Sequence, residues 1–273
     1  MEIFKAQGQH IEELVGMLKR EQLAYHEYRE LTDNQLRVYT QNKLLSTDKG
    51  DSTFNRIAVK GANIEGFIAC TKDEFDSENF GFPCYRITDL YLFTTDLKST
   101  KNILFKLFEG VENELQQHSN RTYLSFGLSN NVVNFDMIFN ALASIEFYYI
   151  HTLLTFGSTN QTFDTTSNFI VREARESDAA QVAELAEKSF RFSRFHLDPF
   201  LDNQKASALL KKSARNSILE NFVDVMYVVE VEGKIAGYYS AKKRFIREFE
   251  NVVGDAVISA VDSDFRGKGL FGL

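Results

Sequence analysis

The chain has 273 residues, enough for one large domain or two of medium size. Its apolar share of 44% and charged share of 25% are ordinary for folded proteins, and with only two prolines it contains no proline-rich linker. The net charge of -7 disfavours a nucleic-acid partner, because backbone phosphates attract a basic surface. A small anionic ligand, which needs only a local cluster of basic groups, is not excluded.

Several classes of site and location are also disfavoured. Cys70 and Cys84 are predicted to be reduced thiols, and the five histidines show no metal-ligand spacing, so no metal site is predicted. The first 18 residues lack a basic region followed by an apolar stretch, so we predict no signal peptide. No run approaches the roughly 18 apolar residues that a membrane helix needs. The sequence therefore predicts a cytoplasmic protein without a membrane span.

The first half of the chain alternates helical and strand patterns. Ile11, Leu14, Val15 and Leu18 recur at helical spacing and predict a first amphipathic helix. Ser99 or Thr100 is expected to cap a later helix that carries an apolar stripe from Ile103 to Leu115. The other elements predicted for this half are a helix from 33 to about 45, two short strands within 56–70, a strand at 85–93 after a polar and aromatic loop, a strand at 122–128, a helix from about 132 to 143 and a strand at 147–156.

A polar stretch at 157–168 is the best boundary, and beyond it the layout restarts. We therefore predict two domains, 1–160 and 168–273. The elements predicted for the second are a strand at 169–174, a helix capped by Ser177, a helix that starts at Asp202 or Asn203, a hairpin at 226–243 that turns at Glu232-Gly233, and a long strand at 255–262.

The two halves resemble each other, which indicates an internal repeat. Residues 56–70 match 227–241 in type and spacing, and the segment that begins at Ile87 matches the one that begins at Ala256. The first half has a turn without glycine, DLKSTKN, where the second has DFRGKGL. By this internal template a further module of roughly 50 residues should follow the turn, so the chain is expected to be C-terminally truncated.

The turn DFRGKGL predicts an anion site. A strand that ends in small residues and then opens a helix directs several backbone N–H groups at one point, where the helix N-terminus is electropositive. Gly267 and Gly269 allow close approach and positive φ, and Arg266 and Lys268 add charge. The alternative interpretation is an ordinary basic surface turn.

The order strand, two helices, hairpin, long strand and then [QR]-x-x-G-x-[GA] resembles the GNAT superfamily of N-acetyltransferases, with Phe271 in place of the final Gly or Ala. The resemblance implies an α/β (α+β) fold of two tandem GNAT-like mixed-sheet halves, the N-terminal one degenerate and the C-terminal one incomplete after the pyrophosphate turn. It implies acetyl-CoA as co-substrate, its pyrophosphate on the turn and its pantetheine arm along the strand at 258–261. The cofactor-binding residues implied in this way are Ile258, Ser259, Ala260, Val261, Arg266, Gly267, Lys268, Gly269, Leu270 and Phe271.

A narrower resemblance involves both halves. FDSENFGFPCYRI, residues 75–87, looks like a W-[DE]-S-x-F-F-G segment of TDP-fucosamine acetyltransferase-like proteins, with Phe75 in place of Trp. FRFSRFHLDPFLDNQKA, residues 190–206, is similar to their S-R-F-x-x-D-P segment. These enzymes acetylate the amine of a nucleotide-activated amino sugar, and arginine suits a diphosphate. The substrate-binding residues expected here are Arg191, Arg194, His196 and Asp198; the alternative interpretation is a solvated basic loop.

The expected function is N-acetyl transfer from acetyl-CoA to a nucleotide-activated amino sugar used for cell-surface polysaccharide. The resemblance implies a tyrosine general acid after the turn, beyond Leu273, so no catalytic residue is predicted within the chain. Two alternatives stay open: a non-catalytic fragment or pseudoenzyme that binds CoA or sugar nucleotide, and a GNAT enzyme acting on a peptide or antibiotic amine. The sheet face left without a helix is expected to make the chain poorly soluble or to require a partner in a homodimer.

Overall fold

The computed structural model describes residues 1–23, 31–47, 52–117, 119, 121–129, 134–153, 169–247 and 250–270. The chain divides into two compact units, Met1–Tyr149 and Ile150–Leu273, and each contains its own β-sheet. The α/β class with two tandem halves is confirmed. The predicted domain limits at 160 and 168 lie outside the described residues.

The first unit is built on a five-stranded sheet of order β1-β2-β3-β4-β5. Neighbouring strands are antiparallel except β4 and β5, which are parallel, so the sheet is mixed. Its elements in chain order are β1 (Glu2–Phe4), α1 (Gly8–Met17), α2 (Arg20–Leu23), α3 (Asp33–Ser46), β2 (Thr53–Lys60), β3 (Asn63–Lys72), α4 (Glu74–Phe80), β4 (Cys84–Leu92), α5 (Leu97–Leu115), β5 (Tyr123–Phe126) and α6 (Phe135–Ser144).

Helix α5 covers one face of this sheet because its apolar residues recur at helical spacing. The buried members of its stripe are Ile103, Leu104, Leu107, Phe108, Val111 and Leu115, and they join strand residues such as Ile68 and Ile87 in one core. Gly66 on β3 permits the close approach of α5. A Cβ at that position would lie only 2.9 Å from Ile103 Cγ2.

The second unit has a four-stranded antiparallel sheet of order β6-β7-β8-β9. Helices α7 and α9 pack against each other, and α7 packs on the sheet. The core there includes Val182, Leu185 and Val228. The elements in chain order are β6 (Ile170–Glu173), a 3-10 turn (Glu176–Asp178), α7 (Ala179–Ser189), α8 (Arg194–Leu197), α9 (Asn203–Leu219), β7 (Val225–Val231), β8 (Lys234–Ile246), β9 (Asn251–Val261) and a 3-10 turn (Ser263–Phe265).

The two sheets share their pattern of β-bulges. In the ladder of β2 with β3, Ala58 pairs with Gly66 and the register then shifts; in the ladder of β7 with β8, Val229 pairs with Gly237 and the register shifts at the same place. A second shift lies further along β3, between Ala69 and Cys70 in the ladder with β4, and its counterpart lies between Tyr239 and Ala241 in the ladder of β8 with β9. A bulge bends and twists the strand that carries it, so the two halves repeat a backbone geometry as well as an order of elements.

Two helix starts differ from the prediction. The carboxylate of Asp96, not Ser99 or Thr100, caps α5: it accepts the Ser99 N–H at 2.9 Å, and aspartate serves this role well because its carboxylate complements the positive end of the helix. Ser177 does not cap α7 either. It lies inside a 3-10 turn, and the Asp178 carboxylate accepts the Arg175 N–H at 2.7 Å.

Two segments were assigned the wrong structure. The polar and aromatic loop before β4 contains α4, a helix of seven residues that Asp73 caps by accepting the Asp76 N–H. The strand predicted at 147–156 is absent from its described part, 147–153. Phe147 instead packs its ring on Phe108 of α5, with ring centroids 5.0 Å apart. Phe147 is therefore packed through its side chain and does not take part in a β-ladder.

Candidate functional site

The end of β9 and the turn after it form the candidate site. The Asp262 N–H still bonds to the Ala236 carbonyl of β8, at 2.9 Å. The Asp262 carboxylate then accepts the Asp264 N–H at 2.9 Å, and the Phe265 N–H bonds back to the Asp262 carbonyl. These bonds close a tight turn as soon as the chain leaves the sheet, so the residues after it are presented at the end of the strand.

Two glycines give the turn its backbone shape. Gly267 has φ 76° and Gly269 has φ 80°, a left-handed conformation that strains any residue with a Cβ. A Cβ at either position would contact nothing within 4 Å, so backbone conformation, not crowding, requires glycine there. Within the described part of the chain, the N–H groups of Gly267, Lys268 and Gly269 donate to no acceptor. Successive N–H groups around left-handed residues are suited to bind an anion.

The turn is anchored to the sheet by apolar contacts. Leu270 is buried with Val229 and Ala236, and Phe265 packs against the same cluster. The Arg266 Nε donates to the Val261 carbonyl at 3.1 Å, which places its guanidinium group beside the end of β9. The Lys268 Nζ lies 4.8 Å from the centroid of the Phe265 ring. Both basic residues are exposed, so their charges lie next to the three N–H groups.

The edge of β9 is shaped by a bulge that Ser240 fills. The buried Ser240 Oγ accepts the Ile258 N–H at 3.1 Å and donates to the Ile258 carbonyl at 2.8 Å. Ile258 and Asp262 therefore direct their backbone groups towards β8, and by alternation Ser259 and Val261 direct theirs to the opposite edge. No other strand of the described residues pairs along that edge. The Val261 carbonyl already accepts a hydrogen bond from the Arg266 Nε, so the groups that can bind a ligand along this edge are the N–H and carbonyl of Ser259 and the N–H of Val261.

The predicted substrate residues lie between α7 and α9. Both ring nitrogens of His196 are hydrogen-bonded, Nδ1 to the Ser193 hydroxyl at 2.8 Å and Nε2 to the Ser207 hydroxyl at 3.0 Å, and burial lowers the pKa of this histidine below its usual value. The buried Asp198 carboxylate accepts the Phe200 N–H at 2.9 Å. His196 and Asp198 thus organise the segment.

The two arginines of this segment differ. The Arg194 guanidinium carbon lies 4.1 Å from the centroid of the Phe195 ring, while Arg191 is exposed. Of the predicted cofactor residues, those at 258–261 and 266–270 come together at one end of the second sheet, and Phe271 lies outside the described residues. Ser240 was not predicted; its signal is a hydroxyl directly after the apolar and aromatic run at 235–239 of β8.

The segment at 75–87 builds a connection within the first unit. The Ser77 hydroxyl donates to the Asp73 carbonyl and accepts the Cys84 N–H at 2.9 Å, and Gly81, with φ 79°, ends α4. The ring of Phe82 lies between Phe80 and the Arg121 guanidinium. Capping and packing account for the residue types at these positions.

The described residues do not support a reactive thiol, a metal centre or a membrane span. Cys70 and Cys84 are buried, and burial raises the pKa of Cys70 to about 12, which makes it an unreactive thiol. Among the described residues, no three His, Cys, Asp or Glu side chains are placed to hold a metal ion. None of the helices described is both long and apolar enough to cross a bilayer.

Comparison with known proteins gives similarities in structure alone. No protein-family model matches the chain, and no curated protein matches it. Similar solved structures include a possible acetyltransferase from Clostridium difficile 630, with 16% identity over 59% of this chain and 98% of that one, at a TM-score of 0.40. An aminoglycoside N-acetyltransferase in complex with CoA has 12% identity over 57% of this chain and 93% of its own, also at 0.40. An aminoglycoside acetyltransferase from an uncultured soil metagenomic sample, in complex with sisomicin, has 13% identity over 59% and 96%, again at 0.40. At this level of similarity, only the residues of this chain indicate its function.

Proposed function

We propose that the second unit binds acetyl-CoA and serves an N-acetyltransferase. The observation that carries this proposal is the set of three N–H groups at Gly267, Lys268 and Gly269, without acceptors in the described residues, at the end of an open strand edge. The GNAT-like motif of the sequence falls on these same residues. This surface can accommodate a ligand that has an anionic group at the turn and an extended arm along β9.

Different residues of the turn and of β9 can bind different parts of acetyl-CoA. The pyrophosphate would accept hydrogen bonds from the N–H groups of the turn, and the positive charges of Arg266 and Lys268 would balance its negative charge. The pantetheine arm would pair with the free edge of β9 as an added strand does. When bound, acetyl-CoA supplies an acyl thioester activated for attack by a neutral amine. The edge N–H groups of Ser259 and Val261 are the available donors for the oxyanion that forms, whereas the Ile258 N–H is already used by Ser240.

We propose a nucleotide-activated amino sugar as the acceptor. The support is the segment at 190–206, in which Asp198 and His196 are held by hydrogen bonds while Arg191 is exposed, as recognition of a diphosphate requires. We assign the general acid to none of the described residues. The alternatives are a unit that binds CoA or sugar nucleotide without catalysis, and an enzyme for a peptide or antibiotic amine.

Binding of CoA tests the turn. We expect Gly267→Ala and Gly269→Ala each to weaken CoA binding by about 5- to 30-fold, because the free turn can relax to avoid the left-handed conformation, which costs a residue with a Cβ about 1–2 kcal/mol, and binding would have to restore it. Isothermal titration calorimetry measures this. Gly254→Ala on β9 is the matched control, because Gly254 has as much room around it but no positive φ. Equal weakening in all three variants, or no CoA binding by the unaltered chain, would contradict the proposal.

Thiol release from acetyl-CoA tests the reaction. We expect release with a nucleotide-linked amino sugar, and none above background with the free amino sugar, a peptide amine or an aminoglycoside. Release with the aminoglycoside or the peptide instead would favour the second alternative. CoA binding without thiol release from any amine would favour the non-catalytic unit.

A further inference from the structure

A tyrosine in the core of the second unit buries its hydroxyl without a partner among the described residues. Tyr238 on β8 is only 4% exposed, and its hydroxyl oxygen is buried with no hydrogen bond to any described group. Burial raises the pKa of this tyrosine, so the hydroxyl keeps its proton and remains a donor. A buried donor without an acceptor destabilises a fold, because it has given up its hydrogen bonds to water. The Tyr238 hydroxyl therefore weakens the fold, which indicates a role in binding.

The internal repeat provides a comparison for this position. Gly66 and Gly237 lie at the same place relative to the first bulge of their sheets, and the residues that follow them are Phe67 and Tyr238. Phe67 is fully buried, so the equivalent backbone position in the first unit is filled by a ring that has no hydroxyl. A phenylalanine ring satisfies the packing of this position, and the hydroxyl is an addition of the second unit.

The residue on the neighbouring strand differs as well. Tyr91 of β4 pairs with Phe67, and the two ring centroids are 6.3 Å apart. The Tyr91 hydroxyl donates to the Asp89 carboxylate at 3.3 Å, so the first unit provides an acceptor for the hydroxyl that it buries. In the second unit the residue opposite Tyr238 is Ala260, whose methyl group accepts no hydrogen bond. The second unit thus has a hydroxyl on β8 beside a small side chain on β9.

The pairing with Ala260 places Tyr238 at the level of the proposed thioester site. Ala260 lies between Ser259 and Val261, whose N–H groups are open at the edge of β9. Tyr238 and Ala260 belong to one core cluster, against which Ile258 packs. Because β8 is the strand next to β9, the tyrosine lies one strand in from the edge that the proposed ligand follows.

We propose that the Tyr238 hydroxyl donates a hydrogen bond to the acyl carbonyl of acetyl-CoA and so positions the thioester for attack. The inference rests on the proposed function, to which it adds a residue that recognises the acyl group. A carbonyl oxygen has two lone pairs, so it can accept from the tyrosine and from one backbone N–H at the edge of β9. CoA without its acyl group lacks this carbonyl, so the hydroxyl distinguishes the acylated cofactor from the free one.

The variant Tyr238→Phe in the full chain removes the hydroxyl and keeps the ring. We expect the affinity for acetyl-CoA to fall about 3- to 10-fold, which corresponds to the loss of one hydrogen bond, while the affinity for CoA is unchanged. Isothermal titration calorimetry with each ligand measures the two affinities. Tyr227→Phe is the matched control, because Tyr227 is 43% exposed on β7; this variant should bind both ligands as the unaltered chain does.

The stability of the protein without ligand is an independent measurement. We expect Tyr238→Phe to raise the melting temperature by about 2–6 °C, because it removes a buried donor that has no acceptor, and Tyr227→Phe to leave it unchanged. A lower melting temperature of Tyr238→Phe would show that the hydroxyl has a structural partner, such as a buried water, and overturns the inference.

The two ligands separate the inference from the proposed function. Equal weakening of acetyl-CoA and CoA by Tyr238→Phe overturns the inference, because the hydroxyl would then not recognise the acyl group. If the unaltered chain binds acetyl-CoA and Tyr238→Phe binds it equally well, the inference fails and the proposed function stands. If the unaltered chain binds neither ligand, the proposed function fails and the inference fails with it.

Discussion

His196, which the sequence predicts as a substrate-binding residue, shows how hydrogen-bond partners define a structural role. Its two nitrogens join Ser193 and Ser207, which links the segment before it to α9. Because a hydroxyl can donate or accept, either neutral tautomer of the ring satisfies both bonds, and the burial that lowers the pKa of His196 favours the neutral ring. A histidine in this motif could also act as a catalytic base, so only its hydrogen-bond partners distinguish the two roles.

A pH dependence of stability follows from this histidine. Because burial lowers the pKa of folded His196 below the ordinary 6.5, the unfolded chain binds more protons there, and this contribution to stability is lost as the pH falls below about 6.5. We expect the free energy of unfolding to fall more between about pH 7.5 and 5.5 in the unaltered chain than in His196→Gln. Urea unfolding at both pH values measures the difference. An equal fall in both proteins would show that His196 does not titrate in this range.

Ser240 is a second residue whose role depends on its neighbours. The Ser240 hydroxyl is hydrogen-bonded to both the N–H and the carbonyl of Ile258 at the bulge. The N–H groups at the open edge of β9 are therefore those of Ser259 and Val261. A serine in a buried strand is normally unfavourable unless its hydroxyl is paired. Here the pairing also determines which N–H groups are available to a ligand.

At the scale of elements, equivalent glycines meet different neighbours in the two halves. A Cβ on Gly66 would meet the side chains of Ile103, Leu92 and Leu107, because α5 lies on that face of the first sheet. At Gly237 the nearest atom to such a Cβ is the Ala260 carbonyl oxygen, at 3.2 Å. The glycine of the first half permits helix packing, and that of the second permits close approach of β9.

Replacement of Gly66 tests the packing of α5. We expect Gly66→Ala to lower the free energy of unfolding by about 1–3 kcal/mol, because the new methyl group would overpack a filled core. Gly16→Ala, in an exposed position of α1 with nothing within 4 Å, should raise it by about 0.5–1 kcal/mol. Chemical denaturation measures both. A gain in stability in both variants would mean that α5 does not approach β3 so closely.

At the scale of the whole molecule, each unit has its own core. Leu104 is fully buried in the cluster under α5, and Met226 is buried in the cluster under α7 and α9. The clusters share no residue. Each unit therefore has a hydrophobic core of its own, assembled on a sheet with the same arrangement of bulges.

Truncation of one core residue in each unit tests this organisation. We expect Leu104→Ala and Met226→Ala each to cost about 2–5 kcal/mol, and each to speed hydrogen exchange mainly in the unit that carries it. Exchange followed by mass spectrometry resolves the two units. Equal acceleration throughout the chain by both variants would indicate one cooperative core.

Elements with a local signal were predicted well. Periodicity located α1, α3 and α9, and Glu232-Gly233 predicted the hairpin turn, where both residues have positive φ, 50° and 78°. Helix α4 was missed because seven residues are too few to show periodicity. The cap at Asp73 and the left-handed Gly81 define it, and it depends on neighbours for stability. The strand predicted at 147–156 is absent from its described part, 147–153, because an apolar run does not reveal whether a ladder partner exists.

The sequence by itself determined the α/β class, the internal repeat and the glycine-rich basic turn, because these depend on residue type and spacing along the chain. The tertiary structure alone decided which N–H groups along β9 are open, since that depends on how Ser240 meets Ile258 across a bulge. It also decided that Phe192 and Phe200 face outward while His196 and Asp198 are held within the segment. Both features depend on contacts between residues that are far apart in sequence or on opposite sides of a turn. The spacing of residues along the chain does not specify such contacts.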